Sequence, residues 1–450
     1  MKPLSIRDIA KAMNARYTGG ELLIDDICTD TRSLAPGCLF VALTGENFDG
    51  HDYIAQALDM GAAFAVSHKP SSDPRVLYVK DTRLAILDIA GLYRKMINPK
   101  VAAVTGSVGK TTTKEMTARV LSSTFKTLKT PANLNNEIGV SQTIFMLEDD
   151  HTAAMLELGI DGPGQMSQMS VAAAPDISIV TGIGVAHLAQ LGSRRGILEE
   201  KMHIRDGMAD GATLLINGDN DLLRDYKDDR LRIMRYGLEN PANDIKAENL
   251  REKYGKTSFL ILWEGEKYPA RVPAMGKHNV LNGVAAFVAG VHLGVEPEEA
   301  ARALENYRPE GMRQNTIRKS GFTIVEDCYN ASPDSMQAAL STLGEMPCEG
   351  KKIAVLSDML ELGETEVQDH REIGRFAAGC GIDLLLCTGE LSEHYALGAQ
   401  EKGLEARHYP DQQALLAGIL DITRPGDILW FKASRGPRLE NVMHKLYQEL

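Results

Sequence analysis

The sequence predicts an α/β protein of three domains, which we place at residues 1–94, 95–314 and 315–450. A strand, a glycine-rich turn and a helix follow one another within residues 101–121, which indicates a P-loop-type, mostly parallel sheet in the central domain. Alternation of apolar strands with helices resumes at Phe322 and indicates a Rossmann-like C-terminal domain. A chain of 450 residues is also too long for one hydrophobic core, so several domains are expected.

The composition is that of a globular protein, with 44% hydrophobic and 24% charged residues. A net charge of −12 with no basic stretch argues against nucleic-acid binding. Six scattered cysteines without a C-x-x-C pair indicate reduced thiols, and hence a cytoplasmic protein. The N-terminus lacks the apolar core of a signal peptide, and no run of about 20 apolar residues predicts a membrane span.

The first domain contains a turn-rich segment, C-T-D-T-R-S-L-A-P-G-C, between Cys28 and Cys38. Thr31, Arg32 and Ser33 place two hydroxyls and a guanidinium in one loop, which suits a pyrophosphate. A surface arginine among turn-forming neighbours is an equally good interpretation of the same residues.

The central domain opens with A-V-T-G-S-V-G-K-T-T-T-K, from Ala103 to Lys114. Glycines allow successive backbone N–H groups to point into one concavity, and the following helix N-terminus favours an anion. In this motif a lysine neutralises the terminal phosphates and the next hydroxyl reaches Mg²⁺. We therefore predict a site for ATP and Mg²⁺ at seven consecutive positions: Gly106, Ser107, Val108, Gly109, Lys110, Thr111 and Thr112.

Three later residues of this domain could hold a metal. Glu157 ends a buried strand beside the predicted phosphate loop, where a carboxylate can bind Mg²⁺. His187 follows another strand, although a lone histidine is more often structural. Lys201 lies in a helical run and would by itself be taken as a surface lysine.

Two asparagines lie near the start of a predicted helix that follows Gly276. The side-chain amides of Asn279 and Asn282 can contact a base or a phosphate, and helix capping is the structural alternative. Before this helix, alternating residues between Ile245 and Val272 predict a small antiparallel insertion.

Polar residues gather at three strand ends of the last domain, in the segments E-D-C-Y-N-A-S-P-D-S, S-D-M-L-E-L-G-E and K-A-S-R-G. Ligands of such sheets bind at the carboxyl ends of the strands. Arg313 precedes this domain at the predicted hinge, from which an arginine can cover the phosphates of a nucleotide.

Taken together, these stretches resemble the Mur ligase family over nearly the whole chain. The resemblance rests on T-G-S-V-G-K-T-T, E-L-G, H-N-V-L-N-G-V-A-A and Arg313, joined by N-L-N-N-E-I-G-V, D-C-Y-N-A-S-P-D-S-M and K-A-S-R-G. In the first domain, D-T-R-S-L-A-P-G-C-L-F-V-A-L-T-G is similar to the family's UDP-sugar-binding domain. The sequence departs from the usual family pattern at Gly182, where an asparagine is common, and at Ala433, where glycine is common.

The resemblance implies an ATP-dependent ligase of EC 6.3.2.10 type that adds D-alanyl-D-alanine to UDP-N-acetylmuramoyl-tripeptide in peptidoglycan synthesis. It implies catalytic roles for Lys110, Lys201, His187 and Arg313, with Lys201 carbamylated, and metal binding by Thr111, Glu157, His187 and Lys201. The implied nucleotide contacts are Asn279, Asn282, Arg313, Asp327 and Tyr329. We assign the substrate to Thr31, Arg32, Ser33, Asn135, Asn136, Asn330, Lys432 and Arg435, and we expect a monomer.

Two other functions remain open. A sister Mur ligase or a folylpolyglutamate-synthase-like enzyme would share the ATP machinery. The absence of a D-N-P-R stretch argues against a diaminopimelate-adding sister ligase, and the UDP-type first domain argues against a folate enzyme. A P-loop nucleotide switch is the alternative from another class. The chain lacks an N-K-x-D motif, and its candidate metal carboxylate is a glutamate where a switch protein would have an aspartate.

Overall fold

A computed structural model describes residues 1–45, 47–253 and 255–450, and it contains one large sheet for each predicted domain. The first of these sheets has four parallel strands in chain order: β3 (Ile27–Cys28), β4 (Leu39–Val41), β5 (Phe64–Ser67) and β6 (Val76–Tyr78). A two-stranded antiparallel ribbon precedes it, formed by β1 (Leu4–Ser5) and β2 (Leu23–Ile24). The helices of this part are α1 (Ile6–Ala12), α2 (Ile54–Asp59) and α3 (Thr82–Ile97), with short 3₁₀ turns at Thr31–Ser33 and Gly50–Tyr53.

The central sheet has nine strands, arranged in the order β15-β14-β13-β12-β11-β10-β7-β9-β8. Its strands are β7 (Lys100–Thr105), β8 (Thr127–Lys129), β9 (Ala153–Glu157), β10 (Ile177–Val180), β11 (Thr213–Asn217), β12 (Arg232–Gly237), β13 (Ile245–Lys253), β14 (Lys256–Trp263) and β15 (Glu266–Val272). Pairing is parallel from β8 to β13 and antiparallel beyond it. The predicted antiparallel insertion is present as β13, β14 and β15, and it extends the central sheet because β13 pairs with β12.

Helices cover both faces of this sheet, as buried parallel strands require. They are α4 (Lys110–Leu121), α5 (Glu137–Phe145), α6 (Gln165–Ala173), α7 (Leu188–Leu191), α8 (Arg194–Met202), α9 (Lys277–His292) and α10 (Pro297–Ala303), with 3₁₀ turns at His203–Arg205 and Leu304–Asn306. Helices α4 and α9 approach so closely that a Cβ at Gly290 would overlap Val120 Cγ1. Strand order reverses at β7, which lies between β9 and β10, and ligands bind at such a switch point.

The third sheet has six strands in the order β16-β17-β21-β18-β19-β20, and only β16 is antiparallel to its neighbour. The strands are β16 (Asn315–Lys319), β17 (Phe322–Asp327), β18 (Lys352–Leu356), β19 (Leu384–Thr388), β20 (Ala406–Tyr409) and β21 (Ile428–Lys432). The helices are α11 (Pro333–Glu345), α12 (Glu366–Ala378), α13 (Glu393–Glu401), α14 (Gln412–Ile422) and α15 (Glu440–Glu449), with a 3₁₀ turn at Gly363–Thr365. The predicted three-domain α/β fold class is confirmed.

Helix α3 joins the first sheet to the central one. The Tyr93 hydroxyl donates a hydrogen bond of 2.6 Å to the Leu147 carbonyl. The Arg94 guanidinium donates to the carbonyls of Ala173 and Ala174, at 3.0 and 2.8 Å. Apolar residues of the first part and of the central part form one continuous core through this helix. The domain limits at residues 94 and 314 stay a prediction.

Within the described ranges, no helix combines the length and the apolar character needed to cross a membrane.

Candidate active site

The glycine turn after β7 forms the loop that the sequence predicts. Gly106 and Gly109 have φ angles of 148° and 84°, which favour glycine. A Cβ at Gly106 would also overlap Thr181 Oγ1, and that hydroxyl donates a 2.5 Å hydrogen bond to the Val108 carbonyl. Helix α4 then begins at Lys110, so the N-terminal amides of a 12-residue helix lie directly behind the loop.

This loop forms one wall of a cavity of about 600 Å³ between the central and third domains. Most of the predicted residues line that cavity. They are Ser107, Val108, Gly109, Lys110, Thr111, Thr112, Asn135, Glu157, His187, Asn279, Asn282, Arg313, Asp327, Tyr329, Asn330, Lys432 and Arg435. The structure therefore brings together residues more than 300 positions apart in the chain.

Six predicted residues lie outside the cavity lining. Gly106 accepts a 2.8 Å hydrogen bond from Lys110 Nζ through its carbonyl, and Lys201 is buried in α8. Asn136 is the N-cap of α5, and its side chain accepts a 2.9 Å hydrogen bond from the Gly139 amide. The other three, Thr31, Arg32 and Ser33, form a 3₁₀ turn of the first domain. There the exposed Arg32 guanidinium pairs with Asp30 at 2.6 Å.

Glu157 forms the acidic centre of the cavity and is 2% exposed. Its Oε1 accepts hydrogen bonds from Thr111 Oγ1 at 3.1 Å and from Asn135 Nδ2 at 2.9 Å. Its Oε2 is buried without a hydrogen bond and lies 3.9 Å from Lys114 Nζ. One carboxylate oxygen thus makes no hydrogen bond within the protein, and carboxylate oxygens are the ligands that Mg²⁺ prefers.

The nitrogen groups of Lys110, His187 and Lys201 lie close enough to influence one another, and Lys110 also interacts with Glu157. Burial, and then the charge of Lys110, holds the pKa of Lys201 well below its usual value, and Lys201 Nζ makes no hydrogen bond. Burial, followed by the charges of Lys201 and Lys110, lowers the pKa of His187 to about 4. Burial lowers the pKa of Lys110 as well, while Glu157 opposes that shift. At neutral pH His187 is therefore a neutral imidazole, which can bind a metal.

The third domain supplies the opposite wall. The Arg313 guanidinium stacks 3.8 Å above the centre of the Tyr329 ring, and Arg435 lies 5.8 Å from the same ring. Lys432 Nζ is 2.9 Å from Asp327 and donates a 3.2 Å hydrogen bond to the Asn330 carbonyl. Asp327 and Lys432 are the last residues of two adjacent parallel strands, β17 and β21, and Tyr329, Asn330 and Arg435 follow these strand ends, whereas Arg313 precedes β16.

The start of α9 connects both walls. Asn282 Oδ1 accepts a 3.1 Å hydrogen bond from Thr113 Oγ1. Asn279 Nδ2 donates to Gln314 Oε1 at 2.7 Å, next to the hinge residue Arg313. In this structure Asn279 and Asn282 hold the phosphate loop and the hinge in place while they line the cavity.

Sequence reasoning missed Lys114, which is 0% exposed. Its ammonium donates to the Thr130 carbonyl at 2.9 Å and pairs with Glu115 at 2.9 Å. The available signal was its spacing, because residues four apart on a helix share a face and Lys110 is already a site residue.

Gly182 is a position at which the sequence departs from the usual family pattern. A Cβ there would meet only Asn220 Nδ2, at 3.8 Å, so neighbouring atoms do not require glycine at that position.

Three family models match successive parts of the chain: the Mur ligase family catalytic domain at residues 23–100, the Mur ligase middle domain at 104–290, and the Mur ligase glutamate ligase domain at 312–435. The chain belongs to the Mur ligase family. The predicted family is therefore confirmed, and the cavity lies between the middle and glutamate ligase domains.

Two full-length relatives of this Mur ligase carry the same name. The UDP-N-acetylmuramoyl-tripeptide–D-alanyl-D-alanine ligase of Bacillus subtilis (strain 168) is 35% identical, with 99% of this chain and 98% of the relative covered. The enzyme of that name from Escherichia coli (strain K12) is 32% identical, with 100% and 99% covered.

Solved structures agree with this similarity. A crystal structure of MurF from Acinetobacter baumannii superposes with a TM-score of 0.91 at 30% identity, covering 100% of this chain and 99% of the other. A MurF ligase structure from Thermotoga maritima in complex with ADP has a TM-score of 0.84 at 27% identity, covering 94% and 97%.

Proposed function

We infer that this Mur ligase uses ATP to join D-alanyl-D-alanine to UDP-N-acetylmuramoyl-tripeptide. The full-length similarity to enzymes named for that reaction supports the substrates. The observation that carries the reaction type is the phosphate loop, which shares one cavity with basic residues of the third domain. A phosphoryl donor and a peptide can meet there away from bulk water.

The mechanism follows from the charges. A carboxylate is a poor electrophile, so we propose that the tripeptide carboxylate attacks the terminal phosphorus of ATP. The bond from that phosphorus to the ADP oxygen breaks, and an acyl phosphate forms. The Lys110 ammonium, 2.8 Å from the Gly106 carbonyl, turns to the transferring group and spreads its charge.

The second half of the reaction is aminolysis. The neutral amine of D-alanyl-D-alanine attacks the acyl carbon, the bond from that carbon to the phosphate oxygen breaks, and the proton lost by the nitrogen ends, in the overall balance, on the departing phosphate. Water would destroy the acyl phosphate, so docking of the third domain over the loop protects the intermediate. Stacking of Arg313 on Tyr329 fixes a guanidinium at the cavity mouth, where it can cover nucleotide phosphates.

The residues present fit Mg²⁺. Thr111 and the unbonded Glu157 Oε2 offer oxygen ligands, and His187 offers a neutral imidazole. Lys201 is buried, lacks a hydrogen bond and has a lowered pKa, so its amine is suited to become a carbamate that would add another oxygen ligand. When bound, Mg²⁺ would neutralise charge on the phosphate oxygens.

We assign the remaining predicted residues to the substrates. Asn135, Asn330, Lys432 and Arg435 line the cavity and would hold the peptide, together with the adjoining Asn136. Thr31, Arg32 and Ser33 lie on the first domain and would bind the UDP moiety. We further propose a monomer that acts in the cytoplasm, consistent with six free cysteines.

A phosphate-release assay tests the function. With ATP and a UDP-N-acetylmuramoyl-tripeptide, we expect release to depend on D-alanyl-D-alanine, with little release for D-alanine, diaminopimelate or glutamate. Preference for one of the other three amines would assign the chain to a sister ligase. ATP turnover that ignores both peptides would instead support a nucleotide switch.

Lys110→Ala is the variant that we expect to lose activity while it keeps the fold. We expect at least about a thousandfold loss of ligation, since one charge on the transferring phosphoryl group disappears. Circular dichroism and the thermal midpoint should stay close to those of the wild type. Near-normal phosphate release by this variant would refute the assignment.

A further inference from the structure

The loop between β10 and α7 contacts the phosphate loop and the third domain through adjacent amides. The Gly184 amide donates a 2.9 Å hydrogen bond to Ser107 Oγ in the phosphate loop. The next amide, of Val185, donates a 3.1 Å hydrogen bond to Asp334 Oδ2 in the third domain. His187 follows two residues later, so the same short segment carries a proposed metal ligand.

The Asp334 carboxylate packs directly against the backbone of Gly184. A Cβ at Gly184 would overlap Asp334 Oδ2 and lie 2.7 Å from its Cγ, and the three nearest atoms all belong to Asp334. Gly184 is not among the glycines with positive φ, so its backbone conformation is open to other residues. The carboxylate of another domain therefore fills the space that a side chain at this position would take.

The position of Asp334 depends on how the third domain docks. It lies in the first turn of α11, which begins with Pro333 and is capped by Ser332, so it moves with that domain. Gly363 of the same domain makes a second contact, since a Cβ there would lie 3.3 Å from Ala189 Cβ. Both contacts fall on the segment that carries His187.

From the central domain, Arg194 restrains the loop on its other side. Its guanidinium donates a 2.8 Å hydrogen bond to the Ile183 carbonyl and pairs with Asp221 at 2.6 Å. Its charge also interacts with Asp334. The loop is thus held by Arg194 and Ser107 of its own domain, and the contact with Asp334 is added only when the third domain is docked.

We propose that Asp334 is a positioning residue that couples docking of the third domain to the arrangement of the phosphate loop and His187. Acyl phosphate would then form efficiently only when the domain that excludes water is in place. This inference rests on the proposed function for the roles of Lys110 and His187, but its central claim concerns docking and has a readout of its own.

A double-mutant cycle with Gly184→Ala and Asp334→Ala tests the coupling. Asp334→Ala removes the acceptor of the Val185 amide, and we expect kcat to fall about ten- to hundredfold, the loss for a hydrogen bond to a charged acceptor. Gly184→Ala should cost at least as much, because its methyl group would displace the Asp334 carboxylate from the Val185 amide. The KM for ATP should change less than kcat, since Asp334 is bonded to the Val185 amide and its removal takes no hydrogen bond directly from the phosphate loop.

The double variant Gly184→Ala/Asp334→Ala should be no worse than Asp334→Ala alone, because the overlap is gone. Asp334→Asn keeps an acceptor oxygen and should recover most of the activity, yet it should not rescue Gly184→Ala. Gly20→Ala is the control, because no atom lies within 4 Å of a Cβ at that position. A double variant whose loss equals the product of the two single losses would overturn the proposal.

Small-angle scattering with ADP provides the readout that is independent of catalysis. Gly184→Ala should have a larger radius of gyration than the wild type, and Gly184→Ala/Asp334→Ala should have a smaller one than Gly184→Ala. Wild-type dimensions for Gly184→Ala would refute the docking role. Absence of ligation by the wild-type enzyme would refute the proposed function and leave this scattering test unaffected.

Discussion

Replacing Lys114 by methionine should destabilise the central domain. Lys114 Nζ is wholly buried, 2.9 Å from Glu115 Oε1 and 3.9 Å from Glu157 Oε2, and it also donates to two backbone carbonyls. Removing one partner of a buried ion pair costs about 3–5 kcal/mol, because the other charge stays buried. Glu115 keeps Lys129 as a partner, so we expect the lower end, about 3 kcal/mol.

Lys126→Met is the matched control. Lys126 also pairs with two carboxylates, Glu148 at 3.1 Å and Asp150 at 2.6 Å, but all three side chains are largely exposed. Exposed pairs contribute at most about 1 kcal/mol. The comparison therefore separates burial of the lysine from its number of acidic partners.

Urea unfolding followed by tryptophan fluorescence measures the difference. The chain has two tryptophans, and in a Trp430→Phe background only Trp263 reports. Trp263 packs edge-to-face on Phe287, which shares a core cluster with Met116 and Val120 of α4. Equal unfolding midpoints for Lys114→Met and Lys126→Met would refute the reasoning.

Two further predictions concern helices. Burial lowers the pKa of His370, whose Nε2 accepts from the Met359 amide at 3.0 Å while Nδ1 donates to the Glu366 carbonyl at 2.6 Å. As the pH falls, the unfolded chain therefore binds a proton at this histidine before the folded chain does. The free energy of unfolding of the third domain should then fall below about pH 6.5, by at most about 1.4 kcal/mol per pH unit. Trp430 fluorescence in a Trp263→Phe background measures this change, and His370→Gln should flatten the pH dependence. Asn136→Ala should lower the free energy of unfolding by about 1 kcal/mol through loss of the α5 cap, whereas Asn136→Ser should retain most of it; equal thermal midpoints for the two variants would contradict the capping role.

The sequence alone predicted the features that depend on local pattern. The phosphate loop is local because glycines, a lysine and a helix start must be adjacent to bind an anion, and strand ends such as Asp327 and Lys432 follow from the alternation of elements. Family resemblance then assigned His187 and Lys201, which local pattern alone left open.

Contacts between distant residues could not be predicted in this way. Asp334 and Val185 are 149 positions apart, and nothing in either segment indicates that a carboxylate fills the place of a side chain at Gly184. A lysine on a helix is usually solvated, whereas tertiary packing buries Lys114 completely. Asn136 shows the reverse case, because a residue chosen for the substrate also has a local capping role.

Helix α3 has a consequence for how the enzyme can be divided and how it can move. Because the Arg94 guanidinium donates to carbonyls at the end of α6 and the Tyr93 hydroxyl donates to Leu147, we expect the first and central domains to move as a single block. Expressing the central domain without the first domain would expose the apolar residues of their shared core to water, and we expect that protein to aggregate. Any opening of the cavity would then have to be a movement of the third domain about the segment near Arg313, which would carry Asn330, Lys432 and Arg435 away from the phosphate loop.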